Sequence, residues 1–530
     1  MATRRKRRGK GRRRPSAPAP KRGASQLLIS VDESETWVAL LEGDVLEEVF
    51  IDRPELSGSA GNVYKGKVGS VLPGMQASFI DIGLGKDGFL HVADIAAHMD
   101  TIDDVLGDEP DIPRWRPDRG DYPQIQDILR PGQEILVQVV KESIGNKGPR
   151  LTSYISLPGR HLVLMPTVDH TGVSRRIADD NERLRLKKII KQIKPEGMGF
   201  IVRTAGEGWG EREFSQDIRY LTGVWQKMQR KARGSPAPVM LYEELPLLYR
   251  VVRDYLSPQI EKIVIDSKSE YSRLRRFLKT LQPDSAYEIE LHTGDVPLFE
   301  KYNLDRQIEA ALRSKVWLPS GGYIVIESTE ALITIDVNTG RYTGKDNLED
   351  TVYKTNMEAA WEVARQLRLR DIGGIVIIDF IDMEDERNRR DVLRELEMAL
   401  ERDRARTNVF SFSPLGLVEV TRQRSRHSLQ KALCQPCPYC QGTGHVRSPA
   451  TIAIETLRRL GKICREVRER KLIVRAHVDI AARLSGQDAR RIRKIERRYR
   501  RRIVIEADPE AHLEDVTILS GSNRTPIKGY

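Results

Sequence analysis

The sequence predicts a multidomain α/β protein with an all-β barrel inserted near its N-terminus. The chain has 530 residues, enough for several packed units at roughly 100–200 residues per domain. Residues 62–152 combine short apolar–polar alternations with glycine-containing turns, which is typical of closely spaced β-strands. From residue 262 onward, strand-like and helix-like segments alternate, as they do in α/β units.

The elements around the predicted barrel belong to an α/β framework. Alternating segments between Gln26 and Ile51 predict strands around a turn at Glu42-Gly43. Further strands are predicted at 163–166, 197–203, 262–266 and 287–291. Helices are predicted at 180–193, 208–233, 242–256 and 269–280.

The C-terminal half continues the alternation. A hairpin-like pair of strands at 323–327 and 331–337 precedes a long helix at 347–370, which ends at Gly373-Gly374. A buried strand at 375–380 and a helix at 385–405 complete that unit. A small terminal α/β domain is predicted with helices at 450–470 and 487–500 and strands at 471–478 and 502–507.

The positive charge is concentrated in two tracts. The net charge is +12, and residues 1–23 carry eleven Lys or Arg and no acid. A second tract, Arg490–Arg502, holds nine cations and one Glu. Either tract is a solvated surface or a site for nucleic-acid phosphates, and composition leaves both interpretations open. Residues 1–23 are predicted to be disordered because their arginine clusters and Pro-Ser-Ala-Pro-Ala-Pro stretch cannot bury a core.

Composition argues against a membrane protein and against a disulfide-rich one. No apolar run approaches the roughly 20 residues that a membrane-spanning helix needs. The basic N-terminus is not followed by the apolar stretch of a secretory signal. The sequence has only four cysteines, three of them clustered, and this usage predicts a reducing, cytoplasmic location.

Aromatic and basic residues alternate within the predicted barrel. Phe79 and Phe89 lie in strand-like segments close to Lys65, Lys67 and His91. A barrel of the OB type exposes such rings on one face, where bases stack and lysines contact the backbone. The alternative is that both phenylalanines belong to the core.

Acidic residues stand at the ends of two apolar strands. Asp336 follows Ala331–Ile335, and Asp379 follows Ile375–Ile378, with Asp382 three residues further on. Carboxylates at the same ends of neighbouring strands converge above a sheet, and Mg²⁺ prefers such oxygen ligands. The alternative is that each Asp only caps the following turn.

Three cysteines and a histidine form a second candidate metal site. Cys437 and Cys440 have the CxxC spacing of zinc knuckles, in a glycine-containing stretch that also holds Cys434 and His445. Either Cys434 and His445 complete the site, or a second subunit does. A redox role is less well supported, because the strand–helix context of a thioredoxin-like CxxC is not evident.

In this order, the barrel, the strand-end aspartates and the cysteine turn resemble the ribonuclease E/G family. The similarity runs from about Gln26 to at least Arg447 and includes GMGFIVRTAG, LPSGGYIVIESTEALITIDVN and ARQLRLRDIGGIVIIDFIDM. The barrel segment, with its GFLH turn, is similar to an S1 RNA-binding domain. In length the chain is nearer to the ribonuclease G type.

The resemblance implies a Mg²⁺-dependent endoribonuclease. Its substrate would be single-stranded, A/U-rich RNA, hydrolysed to 5′-phosphate and 3′-hydroxyl ends during RNA turnover and the processing of ribosomal and transfer RNA. Asp336 and Asp379 would ligate the catalytic Mg²⁺, and Asn338 would orient the site.

The resemblance also assigns RNA-binding residues. The S1 contacts of the family correspond to Phe79, Phe89 and Lys147, whereas Ile82 replaces an aromatic residue of some relatives. A further pocket would sense the 5′-monophosphate of the RNA and favour it over a triphosphate, since a guanidinium and a hydroxyl suit a terminal phosphate. The pattern of that pocket falls on Arg203, Thr204, Gly159, Val163, Arg175 and Arg406.

Cys437 and Cys440 match the family's zinc-link, in which two subunits share one structural Zn²⁺. The resemblance therefore implies a homodimer, with a pair of dimers as a larger assembly, while Cys434 departs from the pattern. The implied domains are a basic tail (1–24), an RNase H-like domain in two parts (25–58 and 249–311), the S1 domain (59–153), a 5′-sensor (154–248), a DNase I-like catalytic domain (312–430), the zinc-link (431–447) and a small α/β domain (448–530).

Two other functional classes are consistent with the residues themselves. A non-catalytic RNA-binding protein would use the strand-end aspartates only to stabilise turns, and RNA cleavage that stops with EDTA would exclude it. An oxidoreductase would instead use the CxxC pair, and would lose its activity without Cys437.

Overall fold

The computed structural model describes residues 24–53, 58–95, 124–143, 147–174, 176–177, 179–256, 259–281, 287–340, 348–423 and 428–527. The chain divides into two compact units, residues 1–432 and 433–530. The predicted basic tail at 1–23 and the predicted sensor residue Arg175 lie outside the described residues. Within the described residues, no helix is both long enough and apolar enough to cross a membrane.

The first sheet of the larger unit joins two distant stretches of the chain. Ser25–Val31 runs parallel to Ile260–Ile265 and antiparallel to Thr36–Glu42. In spatial order its strands are Glu288–Leu291, Ile260–Ile265, Ser25–Val31, Thr36–Glu42 and Val45–Asp52. The accompanying helices are Leu247–Tyr255, Lys268–Leu281, Leu298–Lys301 and Leu304–Leu312. Since parallel neighbours need a long crossover, this crossover is where the barrel is inserted.

The predicted all-β barrel is confirmed. Its five strands are Val63–Leu72, Ala77–Asp81, Gly88–His91, Arg150–Thr152 and Glu134–Lys141. It closes because the first of these also pairs with the last. A short helix, Ile125–Ile128, packs with the barrel, and an outer strand, Val239–Tyr242, extends it. A Cβ at Gly88 would lie only 2.4 Å from Leu151 Cδ1, so glycine allows the two strands to pack closely.

A four-stranded sheet with two long helices follows the barrel. Its strands are Thr171–Val173, Gly199–Val202, Leu162–Met165 and Leu157–Pro158, and its helices are Asp180–Ile193 and Glu211–Gly234. The first helix is confirmed at its predicted bounds, and Asp179 caps it by accepting from the Asn181 N–H. The predicted helix at 242–256 begins later, at Leu247 after Pro246, because residues 239–242 join the barrel instead.

A six-stranded sheet carries the predicted acidic pair. Its strands, in spatial order, are Lys315–Trp317, Tyr323–Ser328, Leu332–Asn338, Gly374–Asp379, Leu417–Arg422 and Thr407–Val409. The helices Leu348–Leu369 and Glu386–Leu400 contribute to one apolar core with its inner side chains. The second helix was predicted to extend to residue 405. It ends at Leu400 because the following turn places Asp403 against Arg422 at 2.6 Å.

The smaller unit has a three-stranded sheet and a core of its own. Its central strand, Lys471–Ala476, runs parallel to Arg502–Ala507 and antiparallel to Val516–Ser520. Its helices are Pro449–Glu466, Val478–Ser485 and Ala489–Tyr499. The sequence predicted neither the short helix at 478–485 nor the last strand, both of which complete the core around elements that were predicted. One short helix, Leu429–Leu433, lies at the end of the larger unit.

Candidate functional site

Asp336 and Asp379 lie side by side on one face of the six-stranded sheet. They occupy adjacent parallel strands and are directly in register. Neighbouring strands are about 4.8 Å apart, so both side chains leave the sheet at one point. Both are exposed, whereas Ile335 and Val337 are buried on the opposite face. The strand alternation therefore turns the two carboxylates outward.

Asn338 stands on the same face, two residues after Asp336. Its Nδ2 donates a hydrogen bond to Asp336 Oδ2 at 2.8 Å. The amide thereby restricts the rotation of this carboxylate. The structure brings the three predicted catalytic residues together, with Asn338 in contact with Asp336.

The edge of the sheet that carries Asp336, Asp379 and Asp382, here called the acidic edge, favours a bound cation. Burial raises the pKa of Asp379, and the negative charges of Asp336 and Asp382 raise it further. A cation would relieve this repulsion. Within the described part of the chain, no three His, Cys, Asp or Glu side chains form a group that could hold a metal ion. Two carboxylates at an open edge fit Mg²⁺, which keeps several of its water ligands.

Asp382 takes a peripheral position. It is exposed, and its Oδ1 would lie 3.5 Å from a Cβ placed on Gly416. Gly416 has a φ of +83°, a conformation that favours glycine. The turn at this glycine therefore borders the acidic edge on the side of Asp382.

A buried asparagine that the sequence analysis missed holds the segment after Asp379. Asn356, on the long helix, is 0% exposed. Its Nδ2 donates to the Ile381 carbonyl at 2.8 Å, and its Oδ1 accepts from the Ile381 N–H at 3.1 Å. On the same helix, Glu358 accepts from the Ser320 N–H at 2.9 Å and so anchors the turn before strand Tyr323–Ser328. A polar residue on the apolar stripe of a helix is the signal that would have identified Asn356.

The barrel presents its two predicted phenylalanines as a pair. Phe79 and Phe89 are register partners on adjacent antiparallel strands. Their ring centroids are 6.0 Å apart with the planes at 67°. Both rings are partly exposed, and neither belongs to the barrel core. The alternative that they are ordinary core residues is therefore wrong.

The other predicted barrel positions are divided between surface and core. Lys147 is exposed, and a Cβ on the next residue, Gly148, would lie 1.9 Å from the Asp87 carbonyl oxygen. The Lys147 segment thus abuts the turn that leads into the strand of Phe89. Ile82 is 2% exposed within the barrel core, so it offers no stacking surface.

Arg203 lies in a cluster of ion pairs. Its Nη1 donates to the Gly159 carbonyl and to Asp254 Oδ1, each at 2.7 Å. Asp254 also contacts Arg253 at 3.0 Å. Burial alone would raise the pKa of Asp254, but the charges of Arg203 and Arg253 hold it well below its usual range. Asp254 is therefore the counter-ion of this site, and the sequence analysis missed it.

Three further predicted sensor residues, Thr204, Val163 and Gly159, lie on segments next to Arg203. Thr204 is exposed, and its hydroxyl is 3.0 Å from the Ser174 hydroxyl. Val163 pairs with Ile201 in the strand next to Arg203. A Cβ at Gly159 would lie 2.9 Å from the buried Asp217 Oδ2, so the backbone needs glycine there.

Arg404, two residues before the predicted sensor residue Arg406, contacts the same cluster. Arg404 Nη1 donates to the Asp254 carbonyl, and its guanidinium lies 3.8 Å from the Tyr255 ring centroid. Arg406, two residues later, is exposed. Arg404 thus adds a cation that the sequence analysis did not assign.

The CxxC pair forms a compact knuckle in the smaller unit. The N–H groups of Gly444 and Gly442 hydrogen-bond to Cys440 and lower the pKa of its thiol, and the Cys437 thiol contributes to the same effect. A thiolate is the form that ligates Zn²⁺. Cys434 and His445 do not join the pair in a group of three or more metal-binding side chains among the described residues. The two thiols of Cys437 and Cys440 therefore lie in contact at the spacing of a zinc knuckle.

The knuckle is attached to its own domain through Tyr439. The Tyr439 and His512 ring centroids are 4.2 Å apart, and His512 Nε2 is 2.7 Å from the Tyr439 carbonyl oxygen. Both cysteines precede the first helix of the domain, which begins at Pro449. They do not occupy its N-terminal turn, where a helix dipole would activate a redox thiol.

The basic tract found in the sequence is mostly the helix Ala489–Tyr499. Ile492 is buried on its inner face, and Asp488 pairs with Arg491 at 3.4 Å at its start. Its exposed cations are Arg490, Arg491, Arg493, Lys494, Arg497 and Arg498. One side of the smaller unit is therefore strongly cationic.

Three stretches of the chain match known protein families. Residues 156–425 match the Ribonuclease E/G family, and residues 59–152 match the S1 RNA binding domain. Residues 436–521 match the RNase E/G thioredoxin-like domain. This match identifies a thioredoxin-like domain, but the CxxC pair itself lies between two helices and does not follow a strand, as the sequence predicted. The CxxC pair lies at the start of that match.

Curated relatives agree with these matches. Ribonuclease G of Escherichia coli (strain K12) is 42% identical over 495 residues, which cover 93% of this chain and 99% of that protein. Ribonuclease G of Haemophilus influenzae is 42% identical over 466 residues, or 88% of this chain and 93% of that protein. Ribonuclease E of E. coli is 41% identical over 435 residues, 82% of this chain and 40% of that protein.

Proposed function

The chain belongs to the ribonuclease E/G family and is an endoribonuclease, and we propose that it cuts RNA with a Mg²⁺ ion held by Asp336 and Asp379. The observation that carries this assignment is the in-register placement of the two carboxylates. The raised pKa of Asp379 supports it, because burial and the like charges of Asp336 and Asp382 leave the site short of positive charge.

The reaction is hydrolysis of one phosphodiester bond. Water oxygen forms a bond to phosphorus, the bond from phosphorus to the 3′ oxygen breaks, and the products are a 5′-phosphate and a 3′-hydroxyl. A Mg²⁺ ion at the site would supply a hydroxide nucleophile and neutralise charge on the phosphate oxygens. Asp336 and Asp379 would hold the ion, and Asn338 keeps the Asp336 carboxylate oriented through its 2.8 Å hydrogen bond.

The barrel binds the single-stranded substrate in this proposal. Phe79 and Phe89 expose an aromatic pair on one face, and stacking on such rings contributes about 1–3 kcal/mol per base. Lys147 is exposed beside the turn that enters the strand of Phe89 and would contact the RNA backbone. Stacking tolerates many bases, so the A/U preference implied by the family must come partly from weaker pairing in A/U-rich RNA.

We infer that the Arg203 cluster selects 5′-monophosphorylated RNA. A terminal phosphate would form an ion pair with Arg203, whose charge Asp254 now neutralises in part. Thr204 supplies a hydroxyl, and Arg406 approaches with the segment of Arg404. A triphosphate is larger and more highly charged than a monophosphate. A single guanidinium that is already paired with Asp254 should therefore favour the monophosphate.

Cys437 and Cys440 would hold half of a structural Zn²⁺ site, with the other two thiolates coming from a second copy of the chain. This site is supported by the contact between the two thiols and by the hydrogen bonds that the Gly442 and Gly444 N–H groups donate to Cys440. The proposed assembly is a homodimer, and pairs of dimers are its natural extension. Zinc thiolates require reduced cysteines, which favours the cytoplasm as the compartment.

We also propose the domain bounds that the family resemblance implies. We assign the five-stranded sheet to an RNase H-like domain in two parts, 25–58 and 249–311. Residues 59–153 are the S1 domain and 154–248 the 5′-sensor. The six-stranded sheet belongs to a DNase I-like catalytic domain at 312–430, followed by the zinc-link at 431–447 and the small domain at 448–530.

The cationic helix 489–499 supplies an additional, sequence-independent contact with RNA. Its six exposed Lys and Arg side chains face one way, and cations so placed bind phosphates with release of counterions. The same interpretation extends to the eleven cations of residues 1–23. Ribosomal and transfer RNA precursors and decaying messages are the proposed substrates.

The deciding experiment is cleavage of an A/U-rich RNA in 5′-monophosphorylated and 5′-triphosphorylated forms, with Mg²⁺ or with EDTA. Cleavage should require Mg²⁺ and be faster for the monophosphate. Asp336→Asn and Asp379→Asn should each abolish cleavage while RNA binding persists. Normal cleavage by both variants would refute the metal assignment and return the aspartates to a turn-stabilising role.

A further inference from the structure

An exposed aromatic and lysine cluster lies beside the acidic pair on the same sheet face. Trp317 is in register with Tyr323, and Tyr323 is in register with Asn338. Directly opposite residues project to the same face of a sheet. A row of side chains therefore runs across the sheet from Trp317 at the edge to Asn338 next to Asp336.

The cluster combines two rings with one cation. The Trp317 and Tyr323 ring centroids are 5.4 Å apart, in an edge-to-face arrangement. Lys315 Nζ lies 4.3 Å from the Trp317 centroid and 3.5 Å from the Tyr323 centroid. Among the described residues, no ion pair between Lys315 and an acid is found, and its ammonium lies against the two rings.

Ordinary structural roles explain this arrangement poorly. A lysine on an edge strand discourages pairing with another sheet, and that role accounts for Lys315 alone. It does not account for Trp317, which is 63% exposed. A large indole left in water is characteristic of a binding surface.

The position relative to the acidic pair identifies the ligand. Trp317 is two strands from Asn338, so the two backbones are about 10 Å apart at a spacing of about 4.8 Å per strand. A single RNA strand whose cleaved phosphate lies at Asp336 would pass over this cluster with its next nucleotides. Aromatic rings and an unpaired cation are the groups that bind bases and phosphates of single strands.

We propose that Trp317, Tyr323 and Lys315 form a nucleotide-binding subsite next to the cleaved bond. Trp317 stacks on a base, Tyr323 supports the indole, and Lys315 contacts the adjoining phosphate. The subsite rests on the proposed function, because Asp336 and Asp379 define where the cleaved phosphate lies. Its role is to hold the strand in the orientation that cleavage requires.

The test compares Trp317→Ala, Trp317→Phe and the control Phe410→Ala in cleavage of a short 5′-monophosphorylated, A/U-rich RNA. Phe410 is 50% exposed and follows the strand at the opposite edge of the same sheet. Trp317→Ala should raise KM about tenfold, within the range of one lost stacking contact. Trp317→Phe should recover most of the loss, and Phe410→Ala should resemble the unmodified protein.

A second readout does not depend on cleavage. In the Asp379→Asn background, RNA should quench the tryptophan fluorescence of the protein, and Trp317→Phe should remove part of that quenching. Lys315→Gln should reduce the slope of log affinity against log salt by about the amount expected for one lost phosphate contact.

The outcomes separate this proposal from the proposed function. If Trp317→Ala leaves KM and quenching unchanged while the Asp variants abolish cleavage, the subsite is wrong and the active site stands. An equal rise of KM in Phe410→Ala would also overturn the subsite, because any apolar truncation of this face would then suffice. If the Asp variants cut normally, the proposed function itself fails.

Discussion

Asn356 hydrogen-bonds to both backbone polar groups of Ile381. Its amide nitrogen donates to the carbonyl at 2.8 Å, and its amide oxygen accepts from the N–H at 3.1 Å. Ile381 lies between Asp379, at the end of its strand, and Asp382. A buried helix residue thus determines the path of the chain immediately after a proposed metal ligand.

Asn356→Ala should therefore lower kcat while KM for RNA changes little, because the substitution loosens Asp379 and touches no proposed RNA contact. It should also lower the free energy of unfolding by about 1–3 kcal/mol, as it leaves two partly buried backbone groups of Ile381 without these partners. Steady-state cleavage and denaturant unfolding measure the two effects.

The matched control for Asn356 is its neighbour Thr355. Thr355→Val removes only a bond from the Thr355 hydroxyl to the Thr351 carbonyl within the same buried helix. It should lower stability without lowering kcat. An equal loss of kcat in Thr355→Val would show that helix stability, rather than the bonds to Ile381, controls the site.

Phe79→Ala and Phe89→Ala should each weaken RNA binding about tenfold, since each removes one stacking surface. The rings contact each other at 6.0 Å, so the double variant should lose less than the sum of the two effects. Equilibrium binding to a short single strand measures this. Ile82→Val, a change in the barrel core, should lower stability instead, and weaker RNA binding in this control would contradict the assignment.

Asp254→Asn should destabilise the fold near neutral pH, by about 3 kcal/mol for a buried charge cluster that loses one partner. The pKa of Asp254 is lowered in the folded protein, so the carboxylate stabilises the fold fully above its unfolded pKa of about 3.9. That contribution declines as the pH falls toward the folded pKa. The stability gap between wild type and variant should therefore narrow below about pH 4, and a gap independent of pH would refute the charge argument.

Cys437→Ser should dissociate the proposed dimer into monomers, and removal of zinc by a strong chelator should have the same effect. Cys434→Ser is the matched control, because Cys434 is an exposed neighbour that joins no metal-binding group among the described residues. Analytical ultracentrifugation with measurement of bound zinc distinguishes them. A dimer that persists in Cys437→Ser, or one that is lost in Cys434→Ser, would contradict the two-thiolate site.

Arg493→Gln with Arg497→Gln should make RNA binding less dependent on salt. Each lost phosphate contact reduces the slope of log affinity against log salt by about 0.7 for single strands. The control is Arg390→Gln, since Arg390 is exposed but paired with Glu386 at 3.0 Å. Deletion of residues 1–23 applies the same test to the tail, and an unchanged slope in either case would reject that tract as an RNA contact.

Much of the architecture followed from local patterns. Strand-sized apolar runs predicted the strands of Asp336 and Asp379, and 3.6-residue periodicity predicted the helix Asp180–Ile193 at its observed bounds. Predictions were least accurate where a segment joins an element distant in sequence. The helix predicted at 242–256 begins only at Leu247, because the segment before it, residues 239–242, pairs with Val63–Lys65 of the barrel. Similarly, residues 401–405 leave the helix because Asp403 pairs with Arg422.

The residues of the candidate site likewise divide into those that local sequence predicts and those that it misses. Its ligand types and their strand-end positions can be read from sequence, and the family motifs add their roles. Asn356 and Asp254 were missed because neither belongs to a local motif. Each acts on a partner far along the chain, Asn356 on Ile381 and Asp254 on Arg203.

The sequence by itself determined that Asp336 and Asp379 stand at the ends of two apolar strands, because a strand-sized apolar run is a local property of the chain. Only the tertiary structure decided that Asp336 and Asp379 are in register. Register depends on how the intervening helix Leu348–Leu369 packs against the sheet, and that packing is a sum over many distant contacts. For the same reason, only the folded chain places Trp317 in one row with Asn338 beside the acidic pair.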